Sequence, residues 1–188
     1  MTKREDQVHA RLQEAALALF AERGYDRTTA AEIAARAGVT ERTFFRYFPD
    51  KREVLFDGQA ILRAALTDAI ADAPAELGPM AALFRAFRSM QPVLEGNRAY
   101  AKPRQDVIAA TPALQERELA KMEALADALT VALTARGVTK LRASLAARVG
   151  MTAFAHATIA WLDNPVRPLG DRFDRVFGEL MSLLADEE

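Results

Sequence analysis

The chain has 188 residues, 51% of them apolar and 27% charged, a composition that sustains a packed core and excludes an intrinsically disordered protein. Lys and Arg number 25 against 26 Asp and Glu, so the net charge is -1 and any contact with nucleic acid must be local, not a property of the whole surface. The absence of Cys removes disulfides, thiolate zinc sites and Cys nucleophiles, and two His far apart in sequence, His9 and His156, give no ground for a metal site, a cofactor or His-centred catalysis.

The first residues mix acids with bases and contain no apolar run of the kind a secretory signal carries. The longest uncharged run, between Arg148 and Asp163, holds 14 residues, fewer than the ~18 a spanning helix needs. A soluble, cytoplasmic protein with no membrane partner is expected.

In chain order, the first predicted helix covers residues 3 to 22, where Val8, Leu12, Ala15, Ala16, Leu19 and Phe20 recur at helical spacing and Gly24 follows the last turn. Thr29 and Glu32 form a capping box for a short helix ending at Gly38. Thr40 caps the next, with Val39 and Phe44 at staple spacing, and Pro49 stops it near Phe48. Asp50 and Glu53 repeat the capping logic and open a predicted connecting helix over 51–73, weakened at Gly58 and ended before Pro74.

Five further helices are expected near 80–95, 98–110, 113–136, 140–163 and 169–185, with Pro92 and Pro103 interrupting the first two. The helix near 140–163 is apolar on two sides, one carrying Leu141, Leu145, Val149, Thr152, His156 and Ile159, the other Met151, Phe154, Thr158, Trp161 and Leu162, so it should be sandwiched. The last shows one clean stripe of Leu169, Phe173, Val176, Phe177, Leu180, Met181 and Leu184. No stretch shows sustained period-two alternation, so the expected fold is all-α, with about nine helices.

Two short helices around a Gly-containing turn, braced by longer ones, make a helix-turn-helix whose second helix enters a major groove. In residues 40 to 48, Phe44, Tyr47 and Phe48 share one helical face, while Glu41, Arg42, Phe45 and Arg46 fall largely on the other. Arg42 and Arg46 suit a guanine edge or a phosphate, Glu41 a cytosine amino group, and Phe45 or the Thr43 methyl a thymine methyl. Residues 40 to 52 carry a local charge of +2, from Arg42, Arg46, Lys51 and Arg52 against Glu41 and Asp50.

The ordered set Gly24-Tyr25, Thr28-Thr29, Glu32-Ile33-Ala34, Ala37-Gly38-Val39-Thr40, Thr43-Phe44-Phe45-Arg46-Tyr47-Phe48 and Lys51 resembles the DNA-binding domain of the TetR (tetracycline-repressor-like) family of bacterial transcription regulators. The resemblance covers about residues 5 to 57. It implies an N-terminal three-helix DNA-binding domain at 1–50 and a helical ligand-binding and dimerisation domain at 51–188, with a homodimer formed by the last two helices. It also implies that Thr29 and the helix it caps touch phosphate, that Glu41, Arg42, Thr43, Phe45 and Arg46 face the groove, and that Tyr47 and Lys51 hold backbone phosphates; Thr40, which caps the same helix, completes the candidate DNA-binding set. Position 45 is Phe where the family commonly has Tyr, and position 30 is Ala where some members carry a base-reading side chain, so specificity should lean on Arg42 and Arg46.

The resemblance further implies a cavity bounded by the middle helices. Phe84, Phe87, Met90, Gln91, Tyr100, Arg104 and His156 are the candidate lining residues, being aromatic, polar or adaptable within mostly apolar, Pro-interrupted helices. Arg98, Lys102 and Arg104 could favour an anionic head group. Three functions are compatible with these features: a homodimeric repressor released from a palindromic operator by a small-molecule effector, a DNA-binding regulator with no effector, and an all-α enzyme or carrier. Against the last, the chain has no Gly-x-Ser-x-Gly, dinucleotide or phosphate-loop fingerprint, and no catalytic residue is assigned.

Overall fold

A computed structural model describes residues 3–185, without the side chains of residues 3, 4, 184 and 185; the terminal residues of the expected domains and the Leu184 position of the last stripe therefore lie outside the described residues. Among the described residues every regular element is helical: α1 (Lys3–Arg23), α2 (Ala30–Arg36), α3 (Glu41–Tyr47), a 3-10 turn (Glu53–Leu55), α4 (Gln59–Ala71), α5 (Pro79–Ser89), α6 (Gln91–Gly96), α7 (Arg98–Ala109), α8 (Pro112–Ala135), α9 (Lys140–Asp163) and α10 (Leu169–Ala185).

Two positions depart from the expected series. The helix near 80–95 divides at Met90 because Pro92 occupies the first turn of α6, where its missing N–H costs nothing. Pro103, by contrast, sits inside an unbroken α7. The second departure is the connecting helix. Asp50 Oδ1 accepts from the backbone N–H groups of Arg52 and Glu53 at 2.7 and 3.1 Å, but the cap position of the element that follows is Arg52, that element is only the 3-10 turn, and α4 starts at Gln59, just beyond Gly58.

Contacts group the chain into two compact units, residues 1–58 with 99–118, and residues 59–98 with 119–188. Chain order with a division at residue 50 does not anticipate the return of 99–118 to the first unit. That return is an apolar effect: Val107, Ile108 and Leu114 are buried in the same cluster as Leu12, Phe20, Ile33, Phe44, Phe48 and Val54 to Phe56. The chain passes between the units after Gly58, Arg98 and Glu118, so the segment 51–73 is not their only covalent link.

In the first unit, α1 packs on α2 and α2 on α3. Thr29 accepts from the Glu32 N–H at 3.2 Å while Glu32 accepts from the Thr29 N–H at 2.9 Å, which closes the capping box and holds the Glu32 carboxyl below its usual range. Gly24 and Gly38 take the left-handed backbone (φ 85° and 69°) that ends α1 and turns α2 into α3. Thr29→Ala should remove about 1 kcal/mol of stability, lowering the thermal midpoint by ~2–4 °C in a differential scanning measurement.

In the second unit, the core is an aromatic series. Phe87 lies 4.7 Å from Phe154 and 6.0 Å from Phe177, Phe84 lies 4.9 Å from Phe177, and Phe154 stacks on Phe173 at 5.6 Å between ring centroids. Gly150 lets α5 approach α9, since a Cβ there would come within 3.2 Å of a Leu83 methyl. The side of α9 bearing Met151, Phe154, Trp161 and Leu162 is buried in this core. Its other stripe is uncovered: Leu141 is 71% exposed and Leu145 57%, so within one chain α9 is packed on one side only.

Candidate nucleic-acid interface

Helix α3 is short, so its position is set by its ends and by one buried face. The Thr40 hydroxyl accepts from the Thr43 N–H at 3.2 Å, and at the other end Phe48 adopts the extended backbone (φ -132°, ψ 128°) demanded by the following Pro49. Phe44 and Phe48 are fully buried and their rings lie 5.6 Å apart. Their burial points Glu41, Arg42, Phe45 and Arg46 outward, as the helical spacing predicts, with Thr40 exposed at the N-terminus and Thr43 half-buried beside it. Phe45 meets the Phe44 ring edge-on at 5.4 Å between centroids and is still 51% exposed, a large apolar ring half in water.

The charged groups of this face are mostly uncompensated. Arg42 carries no ion pair among the described residues, and Arg46 lies over the Tyr47 ring (5.1 Å) with its Nη2 3.5 Å from the Tyr47 hydroxyl. Nearby cations are spent inside the unit: Arg52 pairs with Asp50, and Arg23 and Arg36 pair with Glu32 and Glu22. The Arg36 guanidinium, bonded to both carboxylate oxygens, holds the Glu22 carboxyl below its usual range. The Asp50 carboxyl is also lowered; its partial burial works the other way but is outweighed by the Arg52 side chain and the two backbone donors.

Thr29 stays exposed at the N-terminus of α2 with its hydroxyl and N–H engaged by Glu32. Lys51 is turned inward. Its Nζ donates to the carbonyls of Tyr25 and Thr28, both at 2.9 Å, and lies 4.1 Å from the Tyr25 ring, so it ties the end of the recognition segment to the loop before α2 and leaves one N–H for another partner. Burial in this clamp pushes the Tyr25 phenol up. A helix-start cation is electrostatically awkward in the abstract; two carbonyls from a distant loop, invisible to local spacing, account for it.

The seven candidate ligand residues are divided between the two units. Phe84, Phe87, Met90, Gln91 and His156 belong to the second unit, Tyr100 and Arg104 to the first. Phe87 and Met90 are buried core, Gln91 donates to Glu95 at 3.1 Å, and His156 is exposed on the uncovered stripe of α9. Phe84 opens on a cleft of about 790 Å³ between α4 and α5, lined also by Ala69, Asp72, Leu77, Ala81 and Arg85.

Tyr100 and Arg104 instead grip the 3-10 turn. The Tyr100 hydroxyl donates to the Val54 carbonyl at 3.3 Å, Arg104 Nε donates to the Leu55 carbonyl at 2.5 Å, and the guanidinium stacks 5.1 Å over Phe56 and pairs with Glu118 at 2.8 Å. Arg117 adds an ion pair to Glu53 at 2.7 Å. Arg98 donates to the Leu162 carbonyl and Lys102 pairs with Asp106, so the three bases expected to attract an anionic head group each have a partner within the chain. Among the described residues no group of His, Cys, Asp or Glu is placed to hold a metal ion, and no helix is long and apolar enough to cross a membrane.

Comparison with known proteins agrees with this geometry. Residues 12–57 match the bacterial regulatory proteins of the tetR family, and residues 77–185 match a TetR C-terminal family, the MftR C-terminal domain. The HTH-type transcriptional regulator TcmR of Streptomyces glaucescens is 39% identical over 75 residues, covering 40% of this chain and 33% of that protein, so the alignment spans about a third of the curated relative. Among solved structures, the SmeT–triclosan complex shares the fold with a TM-score of 0.64 at 21% identity, covering 92% of this chain and 90% of that one. FadR of Thermus thermophilus, a TetR-family transcriptional repressor in complex with lauroyl-CoA, aligns with a TM-score of 0.53 at 27% identity over 92% of this chain and 93% of its own. With the N-terminal match falling on the helix-turn-helix and the C-terminal match covering more than half of its length, the chain belongs to the tetR family of bacterial regulatory proteins.

Proposed function

We propose that the protein is a homodimeric transcriptional repressor that binds a palindromic operator through α3 and is released by a small-molecule effector held in its second unit. The observation that carries the reading is the outward face of α3, with two arginines, a carboxylate and a bare aromatic ring on a helix whose other side is locked into the core. Arg42 and Arg46 read guanine edges, Glu41 a cytosine amino group, and Phe45 with Thr43 a thymine methyl. Thr29, Thr40 and Tyr47 meet the phosphates, and Lys51 serves them by fixing the loop that carries Thr29, with one N–H to spare.

The dimer interface in this proposal is the uncovered side of α9, where Leu141, Leu145, Val149, Thr152, His156 and Ile159 recur three or four residues apart, together with Met181 of α10, itself 51% exposed. An uncovered apolar stripe of this length asks for a partner, and a second copy supplies an identical one. Two recognition helices held ~34–36 Å apart then meet successive major grooves on one face of DNA. Leu145→Glu combined with Val149→Glu should convert a dimer into the 20.6 kDa monomer in light scattering after size exclusion, and should weaken operator binding in the same preparation. A double variant that remains dimeric would place the interface elsewhere.

For the effector, the α4–α5 cleft beside Phe84 is the proposed entry, while Phe87 and Met90 belong to the buried core of the same unit. Lauroyl-CoA and triclosan, found with the FadR and SmeT neighbours, are the first probes. The operator test is selection of bound duplexes from a random pool: enrichment of one palindrome with half-sites a helical turn apart supports the reading, and no enrichment at low salt defeats it.

A further inference from the structure

Helix α1 reaches the recognition helix through one arginine. Gln7, Arg11 and Glu14 recur three or four residues apart and so share an edge of α1. That edge lines a cleft of about 810 Å³ together with the α2–α3 turn at Gly38 and the α3 residues Thr43, Arg46 and Tyr47. Arg11 is exposed, and its Nη1 lies 3.9 Å from the position that a Cβ on Gly38 would take, so the guanidinium extends from α1 to the turn between α2 and α3. We infer that Arg11 binds a DNA backbone phosphate seated in this cleft and adds affinity for DNA with no preference for sequence.

The inference rests on the proposal that α3 enters the major groove. That groove is ~12 Å wide and a helix with its side chains is ~10–12 Å across, so α3 fills it and the phosphates of the bordering strands come against whatever stands beside the helix. Thr43, Arg46 and Tyr47, spaced three and four residues apart, form one side of α3: Arg46 is exposed, while Thr43 and Tyr47 are half-buried next to the core residues Phe44 and Phe48. The cleft follows that side, and Arg11 brings to it a fork of donors that matches phosphate oxygens.

Glu14 lies three residues beyond Arg11, a spacing at which an ion pair can close, yet no carboxylate pairs with Arg11 among the described residues. The charged residues lining the cleft, among those described, are Glu5 and Glu14 against Arg11 and Arg46, so their charges balance. A phosphate entering the cleft meets two cations and two carboxylates; without Arg11 it would meet two carboxylates and one cation. His9, also on α1, is turned to Asp57 at 2.7 Å, and neither of these two lines the cleft.

A phosphate contact and a base contact leave different marks. The first serves every duplex alike and releases counterions, so it appears in the salt dependence; the second separates one sequence from another. Two exposed charge contacts, one for each recognition helix of a dimer, correspond to ~2- to 30-fold in affinity. Each should also contribute about 0.9 to the slope of log affinity against log salt.

The test is fluorescence anisotropy of Arg11→Gln on the selected palindrome and on a scrambled duplex across a salt series. The variant should keep the wild-type thermal midpoint, lose the same factor of affinity on both duplexes and show the shallower slope, while Arg11→Lys, which keeps the charge, should retain the wild-type slope. An unchanged slope in Arg11→Gln overturns the inference whether affinity is kept or lost, and so does a loss confined to the palindrome, which would make Arg11 a base reader. Should Arg11→Gln lose its fold, Glu14→Gln decides: removing an opposing charge from a phosphate seat should tighten binding to both duplexes, and unchanged or weaker binding overturns the inference. A folded wild-type protein that enriches no duplex at any salt concentration overturns the DNA-binding reading on which the inference stands, a result distinct from enrichment by wild type with an unaltered slope in Arg11→Gln.

Discussion

Replacing Arg42 and Arg46 together by alanine should abolish site-specific DNA binding while leaving the thermal midpoint unchanged. Each guanidinium, if bidentate to a guanine, contributes ~1–3 kcal/mol of discrimination, so the pair should cost about two to four orders of magnitude in affinity for the selected duplex. Stability should hold because both side chains point away from the core and neither forms an ion pair with another described residue. The measurement is a competition between the selected palindrome and a scrambled duplex. Loss of the palindrome's advantage with a residual salt-dependent affinity for both is the expected pattern, since phosphate contacts remain. A double variant that still prefers the palindrome would remove both arginines from the reading set.

The largest effect on stability is expected at Arg104. Its Nε bonds the Leu55 carbonyl, its fork holds Glu118, and its plane covers Phe56, with 18% and 20% of the two paired side chains exposed. Arg104→Met retains much of the stem but strands the Glu118 carboxylate and the Leu55 carbonyl, for a loss of about 3 kcal/mol in urea unfolding. Adding Glu118→Leu should return a large part of that loss, because removing both members of a buried pair costs less than removing one. Failure of the second substitution to rescue the first would mean that the Leu55 carbonyl and the Phe56 contact, not the ion pair, carry the energy.

These two predictions differ in how far they were legible before folding. The arginines of α3 can be assigned to an outward face from residue spacing, because Thr40, Phe44, Phe48 and Pro49 all fall in the short stretch 40–49 and their constraints are local. The same holds for α2, whose capping box is complete within four residues. From sequence, Arg104 and Tyr100 read as candidate ligand residues because they are a polar and an aromatic side chain within a Pro-containing middle helix. What assigns them instead to the first unit is a set of carbonyls at Val54 and Leu55, reached only after the chain has gone through α4, α5 and α6.

The interrupted connecting helix has the same cause. Val54, Leu55 and Phe56 are consecutive apolar residues and all three are buried, so this stretch has no solvent-facing side of its own; the chain forms a 3-10 turn over Glu53–Leu55, and the Val54 and Leu55 carbonyls are bound by Tyr100 and Arg104. Lys51 and His9 are two more cases in which the deciding partner, a loop carbonyl or Asp57, is distant in sequence. The two stripes of α9 were readable as apolar, but periodicity has no means of saying that one faces its own chain and the other does not.

Helix α3 has seven residues, too few to persist alone in water. Its shape is therefore lent to it by Phe44 and Phe48, and the chemistry proposed for it toward DNA resides in Glu41, Arg42, Phe45 and Arg46, two sets with no member in common. On that proposal a scaffold so divided can be rewritten: exchanging the four outward residues should alter which bases are preferred at almost no thermodynamic penalty to the protein, whereas a single change at Phe44 should erase every preference at once by dissolving the helix that displays them.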